Sequence, residues 1–190
     1  MENAEGNGLR PAIFLDRDGV IIENRASYVR TWEDVVFYER ALEALRHLRN
    51  SPYALVIVTN QSAVGRGILT LAQAEDINHK VVAHIRAAGG RVDAAYLCPH
   101  APDEGCACRK PQPGMLLQAA RDLCLDLSRS WMVGDALTDI QAGHAAGVAH
   151  IVLVRTGRGD TQRRLPQAQT LDGYLLVDDL LALLPHLHSV

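Results

Sequence analysis

The chain has 190 residues, of which 48% are hydrophobic and 22% are charged, and its formal net charge is −3. These values are typical of one globular domain, and the negative charge disfavours proteins whose main task is to hold nucleic acid. No apolar run approaches the roughly 18 residues that a membrane helix needs, and residues 1–10 do not resemble a signal peptide. We therefore expect a disordered tail over residues 1–10, a single domain over residues 11–190 and a cytoplasmic location.

Short apolar runs alternate with amphipathic stretches along the whole chain. The predicted strands are Ala12–Asp16, Ala54–Val58, Val92–Leu97, Ser130–Val133, Ala149–Val154 and Leu175–Val177. The predicted helices are Glu39–Asn50, a helix capped by Thr70 and ended by Gly89-Gly90, then Gly114–Leu125, Asp135–Ala146 and Asp178–Leu184. Strands that are apolar throughout and alternate with helices predict a three-layer, Rossmann-like α/β fold with a mainly parallel sheet.

Two carboxylates end the first predicted strand. Alternation in an extended segment puts Asp16 and Asp18 on the same side, where they repel each other unless a cation lies between them or one holds a proton. Enzymes use both solutions, with one carboxylate as nucleophile, the other as general acid and base, and Mg²⁺ joining them to a phosphate. On its own, the segment also fits a solvated Asp-x-Asp-Gly turn.

Other polar groups lie where the second and fourth strands end and before a later helix. Thr59-Asn60-Gln61-Ser62 can hold phosphate oxygens, and Lys110 can neutralise charge on a transferring phosphoryl group. Asp135 can supply a carboxylate to Mg²⁺, and Asp139, one helical turn further on, can bind the metal through water or orient the loop. Taken singly, these segments also fit capping residues and a solvated basic pair. Because the carboxyl ends of parallel strands share one rim, together they predict a phosphate site there.

Three cysteines and one histidine form a C-x-H…C-x-C pattern, made by Cys98, His100, Cys106 and Cys108. Three thiolates and an imidazole predict a closed, tetrahedral site for structural Zn²⁺. A disulfide is the alternative, but a cytosolic setting and the nearby histidine favour the metal. The fourth cysteine, Cys124, falls within a predicted amphipathic helix, so we expect it in the core.

These motifs, in this order and at successive strand ends, resemble the haloacid-dehalogenase (HAD) superfamily of phosphotransferases over about Ala12 to Leu184. The resemblance implies an HAD-type fold and an aspartyl-phosphate intermediate. It gives Asp16 the role of nucleophile and Asp18 that of general acid and base. Thr59 would contact the phosphate and Lys110 would clamp it.

The same resemblance implies a catalytic Mg²⁺. Its ligands would be Asp16, Asp135 and the backbone carbonyl of Asp18, with Asp139 outside the first coordination sphere. The Cys/His cluster, followed directly by Arg109-Lys110-Pro-x-Pro-Gly-Met, further resembles the zinc-loop phosphatases of this superfamily. These act on the 7-phosphate of D-glycero-D-manno-heptose 1,7-bisphosphate or on histidinol phosphate. The first substrate is our expectation and the second the alternative.

Recognition of the substrate falls to loops, since the chain has no room for a large cap domain. Asn24, Arg25 and Tyr28 are candidates to contact hydroxyls or a distal phosphate, and Arg109 is another partner for that phosphate. Asn60 and Gln61 complete the predicted substrate-binding residues.

Two further functions share some of these motifs. Nucleic-acid 3′-phosphatases also carry Asp-x-Asp-Gly and Thr-Asn-Gln segments, but the net charge and the zinc loop disfavour this function. A zinc-stabilised binding module without activity is disfavoured by the clustered carboxylates. We expect a small phosphorylated sugar as substrate, no nucleic-acid or membrane partner, and a monomer.

Overall fold

The computed structural model describes residues 8–189, with side chains to residue 187. Residues 1–7, most of the predicted disordered tail, lie outside the described residues. At the start of the described chain, the Arg10 N–H donates to the carbonyl of Cys124 at 3.2 Å. No helix within residues 8–189 is long and apolar enough to cross a bilayer.

Within residues 8–189, six strands form one parallel sheet. They are β1 (Ala12–Leu15), β2 (Ala54–Asn60), β3 (Ala94–Cys98), β4 (Trp131–Gly134), β5 (His150–Val154) and β6 (Tyr174–Val177). Their order in the sheet is β3-β2-β1-β4-β5-β6, and each neighbouring pair is parallel. This arrangement confirms the predicted α/β fold, and it puts β1, the first strand in the chain, near the middle of the sheet.

Helices cover both faces of the sheet. The α-helices are α1 (Glu39–His47), α2 (Ser62–Gly65), α3 (Leu71–Ala87), α4 (Gly114–Leu123), α5 (Leu137–Ala146) and α6 (Gly159–Gln162). Short 3₁₀ helices span Trp32–Asp34, Leu48–Asn50, Leu127–Arg129, Pro166–Thr170 and Leu181–Ser189. The predicted closing helix over 178–184 is thus a 3₁₀ helix that begins later; Pro185 lies inside it and cannot donate a backbone hydrogen bond.

Alternate residues of β1 pack into two separate layers. Ile13 and Leu15 join the cluster with Leu45 of α1 and Val81 of α3, whereas Phe14 packs on the other face with Leu116 of α4. This alternation follows from the two-residue period of a strand. The result is the three-layer architecture that the apolar strands predict.

The prediction that Cys124 lies in the core is wrong. Helix α4 ends at Leu123, and Cys124 is its exposed C-cap in the left-handed region, with a φ of 52°. Leu125, which is 5% exposed, fills the core position instead. The helix therefore ends two residues earlier than the apolar pattern indicates.

Candidate active site and metal centres

Asp16 lies directly after β1, at the carboxyl rim of the sheet, and is almost fully buried. Its Oδ1 accepts the Arg17 N–H at 2.8 Å and contacts Lys110 Nζ at 3.0 Å. Within the described residues, Oδ2 has no protein donor. Burial raises the pKa of Asp16 to about 7, against the lowering effect of Lys110 and with added repulsion from Asp139 and other carboxylates.

Lys110 pairs with two carboxylates of the site, those of Asp16 and Asp139, although it is only 2% exposed. Its Nζ contacts Asp139 Oδ1 at 2.6 Å, Asp16 Oδ1 at 3.0 Å and the Val58 carbonyl at 2.8 Å. Three acceptors match the three N–H donors of an ammonium group. Burial alone would lower the pKa of Lys110, but Asp139 and Asp16 raise it above its ordinary value, so the group stays charged.

Asn60 positions the backbone of Lys110. Its Nδ2 donates to the Lys110 carbonyl at 3.0 Å, and its Oδ1 accepts the Lys110 N–H at 3.1 Å. Both ends of the amide are therefore used by the protein. Asn60 lines the cleft as the sequence predicts, but its two side-chain hydrogen bonds hold the backbone of Lys110.

Three buried carboxylates converge beside Lys110. One oxygen from each of Asp16, Asp135 and Asp139 lies within 4.8 Å of the others. Burial raises the pKa of Asp135, an effect that Arg158 partly offsets and Asp139 increases. Buried carboxylates of like charge need cations nearby, and hard oxygen donors of this kind suit Mg²⁺. The donor set therefore fits the metal, and Asp139 belongs to the same cluster as Asp16 and Asp135, the two predicted carboxylate ligands.

The carboxylate of Asp18 has different neighbours from that of Asp16. Arg17 Nη2 donates to both of its oxygens, at 3.2 and 3.1 Å, and Gln61 Nε2 donates to Oδ2 at 2.7 Å. Gln61 also donates to the Thr59 hydroxyl at 2.8 Å. Thr59 is fully buried beneath the site, and its hydroxyl is hydrogen-bonded to Gln61.

A cleft of about 490 Å³ opens above these groups, a size typical of small-molecule sites. It is lined by all the side chains predicted to bind substrate, namely Asn24, Arg25, Tyr28, Asn60, Gln61 and Arg109. Two of them also form hydrogen bonds within the protein. Asn24 Nδ2 donates to Asp135 Oδ2 at 2.5 Å, and Arg25 Nε donates to the Asp34 carbonyl at 2.8 Å.

The close packing around Asp135 depends on glycine. Gly19 has a φ of +93°, and a Cβ there would lie 2.1 Å from Asp135 Oδ2. A Cβ on Gly157, where φ is +58°, would lie 2.4 Å from the same oxygen. Only glycine adopts such conformations without strain and also lets the backbone approach this closely.

Two arginines of the site have no counterpart in the sequence prediction. Arg17, 1% exposed, binds Asp18, and within the described residues its Nη1 has no hydrogen-bond partner. Arg158 binds Asp135 and lines the cleft. The available signal for Arg158 is the Gly-rich run Thr156-Gly157-Arg158-Gly159, which follows β5 at the same rim.

The four predicted zinc ligands come together at the end of β3. The Sγ atoms of Cys98, Cys106 and Cys108 are 3.1 to 3.6 Å apart, and His100 Nδ1 lies 3.3 Å from Cys108 Sγ. A tetrahedral Zn²⁺ with Zn–S bonds of about 2.3 Å sets its sulfurs ~3.8 Å apart, whereas a disulfide bond is about 2.05 Å long. The three thiols are free, so the geometry fits the metal and disfavours the disulfide.

The zinc cluster is linked to the cleft through Arg109. Arg109 Nη1 donates to the His100 carbonyl at 3.1 Å while its side chain lines the cleft. Lys110 follows directly in the chain. Movement of the Cys/His loop would therefore displace Arg109 and Lys110, two cationic side chains that line the cleft.

Comparison of the sequence with known proteins gives consistent matches. The profile of the HAD-hydrolase-like family matches residues 107–183. The chain is 43% identical over 155 residues to the D-glycero-beta-D-manno-heptose-1,7-bisphosphate 7-phosphatase of Photorhabdus laumondii, an alignment covering 78% of this chain and 82% of that protein. It is 41% identical over 173 residues to the Escherichia coli K12 protein of the same name, covering 87% and 88% of the two chains.

The fold also matches a solved structure. The crystal structure of D,D-heptose 1,7-bisphosphate phosphatase from Bordetella bronchiseptica superposes with a TM-score of 0.84 at 36% identity. The match covers 94% of this chain and 98% of that one. The Bordetella protein was crystallised in complex with magnesium and phosphate.

Proposed function

Because the chain belongs to the D-glycero-beta-D-manno-heptose-1,7-bisphosphate 7-phosphatase family of HAD-like hydrolases, we propose that it removes the 7-phosphate of D-glycero-β-D-manno-heptose 1,7-bisphosphate. The chain is a phosphatase by this membership. The observation that carries the proposal is the cleft in which the buried Asp16–Lys110 pair meets further cationic side chains, Arg25 and Arg109. One phosphate can react at the pair while a second is held by the arginines.

In the proposed reaction, Asp16 attacks the phosphorus of the 7-phosphate. Both protein donors to its carboxylate contact Oδ1, which leaves Oδ2 to form the new P–O bond. The bond between phosphorus and the sugar oxygen breaks, and a protonated Asp18 donates its proton to that oxygen. Asp18 then takes a proton from the water that attacks the aspartyl-phosphate, which releases inorganic phosphate and restores Asp16.

Lys110 and Gln61 would hold the reacting groups in place. The three donors of the Lys110 ammonium contact Asp16, Asp139 and the Val58 carbonyl. As charge develops on the phosphoryl group, Lys110 would exchange its 3.0 Å contact with Asp16 Oδ1 for a contact with one of the phosphoryl oxygens. Gln61 contacts both Asp18 and Thr59 and would orient the proton donor. In this scheme Thr59, which is fully buried and hydrogen-bonded to Gln61, would act on the phosphate through Gln61.

Mg²⁺ completes the proposal. Asp16, Asp135 and the backbone carbonyl of Asp18 would hold it, with Asp139 as a further carboxylate of the same cluster. When bound, the ion supplies the positive charge that lets an anionic nucleophile approach an anionic phosphate.

Zn²⁺ has a structural part in the proposal. We assign it to Cys98, His100, Cys106 and Cys108, a closed ligand set with no position for substrate. Its binding energy would fix the loop that carries Arg109. A reducing compartment such as the cytoplasm suits these free thiols, and we propose that location together with a monomeric state.

A panel of substrates tests the proposal. We expect the highest kcat/KM for the β anomer of the heptose 1,7-bisphosphate, and lower values for the α anomer, histidinol phosphate and a 3′-phosphorylated oligonucleotide. The Asp16→Asn variant serves as the blank for contaminating phosphatases. Faster turnover of histidinol phosphate would contradict the assignment and favour the alternative substrate.

A further inference from the structure

Arg158 holds Asp135 in a way that competes with a metal. Its backbone N–H and Nε donate to Asp135 Oδ2 at 2.8 and 3.3 Å, and Asn24 Nδ2 donates to the same oxygen. The other oxygen, Oδ1, accepts from Arg158 Nη2 at 3.0 Å. Within the described residues, that guanidinium nitrogen is the donor to Oδ1. A cation that binds Asp135 through Oδ1 therefore competes with this guanidinium for the same oxygen.

The backbone that carries Arg158 is anchored, but its side chain is not. The Thr156 hydroxyl donates to the Gly19 carbonyl at 2.6 Å, and the Gly157 N–H donates to the Tyr38 hydroxyl at 3.2 Å. By contrast, the Arg158 side chain is 56% exposed, although its partner Asp135 is fully buried. The guanidinium can therefore leave Asp135 without any movement of the chain.

The charges around the site make such an exchange favourable. Asp16, Asp135 and Asp139 are faced by two described cations, Lys110 and Arg158. A divalent ion at the carboxylates would supply the charge that Arg158 provides, and two cations on one carboxylate repel each other. The freed guanidinium already lines the cleft, where a phosphate offers it a bidentate partner.

We propose that Arg158 is an exchangeable cation, which holds Asp135 until Mg²⁺ replaces it and then binds a phosphate of the substrate in the adjoining cleft. The inference rests on the Mg²⁺ site of the proposed function. It makes Arg158 a phosphate-binding residue that couples the two ligands. By linkage, phosphate must then strengthen Mg²⁺ binding, and Mg²⁺ must strengthen phosphate binding by the same factor.

Calorimetric titration of Mg²⁺ tests the exchange without any turnover. It is run with no phosphate and with saturating inorganic phosphate, on the full-length protein in chelator-free buffer so that the cysteine cluster is not stripped. Arg158→Gln removes the competing charge. Arg164→Gln is the matched control, since Arg164 lies in the same segment but pairs with Asp160 at the surface.

We expect Arg158→Gln to bind Mg²⁺ alone about tenfold more tightly than the unsubstituted protein, and phosphate to strengthen Mg²⁺ binding at least fivefold less in this variant. Arg164→Gln should behave like the unsubstituted protein. Arg158→Lys keeps the positive charge but not the bidentate guanidinium, so its Mg²⁺ affinity should lie between those of Arg158→Gln and the unsubstituted protein. This variant replaces Arg158→Gln if the latter does not fold.

The outcomes separate the inference from the proposed function. Equal or weaker Mg²⁺ binding by Arg158→Gln would overturn the exchange and leave the metal site standing. An equal effect in Arg164→Gln would also overturn it, because the cause would then be net charge. Absence of Mg²⁺ binding in every protein would refute the metal site, and the inference with it.

Discussion

Replacing Lys110 with methionine should destabilise the fold more than its single charge suggests. The buried Nζ contacts two buried carboxylates, Asp16 at 3.0 Å and Asp139 at 2.6 Å, as well as the Val58 carbonyl. Removing one partner of a buried ion pair typically costs about 3–5 kcal/mol. Since two carboxylates lose the same cation, we expect the upper part of that range at pH 8.

The cost should shrink as the pH falls. The pKa of Asp16 is already raised to about 7, and Lys110 is the group that lowers it. Without Lys110 this pKa rises further, so Asp16 is protonated at pH 6 and no longer needs a cation. The free energy of unfolding should then fall by only about 3 kcal/mol at pH 6.

The chain provides a matched control in its other lysine. Lys80 forms an exposed pair with Asp76 at 2.8 Å on α3, and such pairs are worth about 0.3–0.5 kcal/mol. Urea unfolding of Lys110→Met and Lys80→Met is compared at pH 6 and pH 8 in Mg²⁺-free buffer. A difference below about 1 kcal/mol at pH 8, or a loss independent of pH, would refute the role of Lys110 in neutralising buried carboxylates.

Three further predictions concern the nucleophile, the distal phosphate and zinc. Asp16→Asn should abolish turnover yet stabilise the Mg²⁺-free protein at pH 8. The pKa of Asp16 is about 7 in the folded protein against an ordinary 3.8, so the unsubstituted protein loses stability as the pH rises between these two values. The test is urea unfolding of both proteins at pH 5 and pH 8. An equal change in the free energy of unfolding of the two proteins would contradict this reasoning. Arg109→Ala should raise KM for the bisphosphate roughly tenfold to a hundredfold more than for a simple monophosphate, and equal penalties would argue against Arg109 as the selecting residue. Cys106→Ser should lower the zinc content and the activity while circular dichroism still reports a folded sheet; less than about half an equivalent of zinc in the unsubstituted protein would show that the loop is held otherwise.

Most of the fold could be predicted because each strand is an apolar run long enough to span a buried sheet. The predicted and observed bounds of β1 differ by one residue, and those of β5 likewise. The C-terminal helix and Cys124 differ more, because a 3₁₀ helix and a left-handed C-cap depend on local backbone geometry that apolar periodicity does not encode. The HAD resemblance is confirmed by the family profile and by relatives that are 41% and 43% identical.

The grouping of residues at the candidate site could be predicted from the sequence where it depends on residue type, but not where it depends on packing. Carboxylates after β1 and β4 are informative because few structural roles require them at that rim. The burial of Arg17 against Asp18 arises only once the loop has folded. Arg158 is likewise joined to Asp135 by the pairing of β4 with β5, which a reading of local motifs does not include.

The position of β1 between β2 and β4 has a consequence for biosynthesis. Ala12 donates to the hydroxyl of Ser130 at 2.8 Å, although the two residues are 118 positions apart in sequence. A nascent chain that has emerged only as far as Lys110 therefore carries Asp16 and Lys110 but leaves one edge of β1 unpaired. Pairing over such separations is slow and exposes strand edges to aggregation. Phosphatase activity should thus appear only when β4 has inserted beside β1, so that in refolding it follows the recovery of secondary structure and reports the insertion of β4.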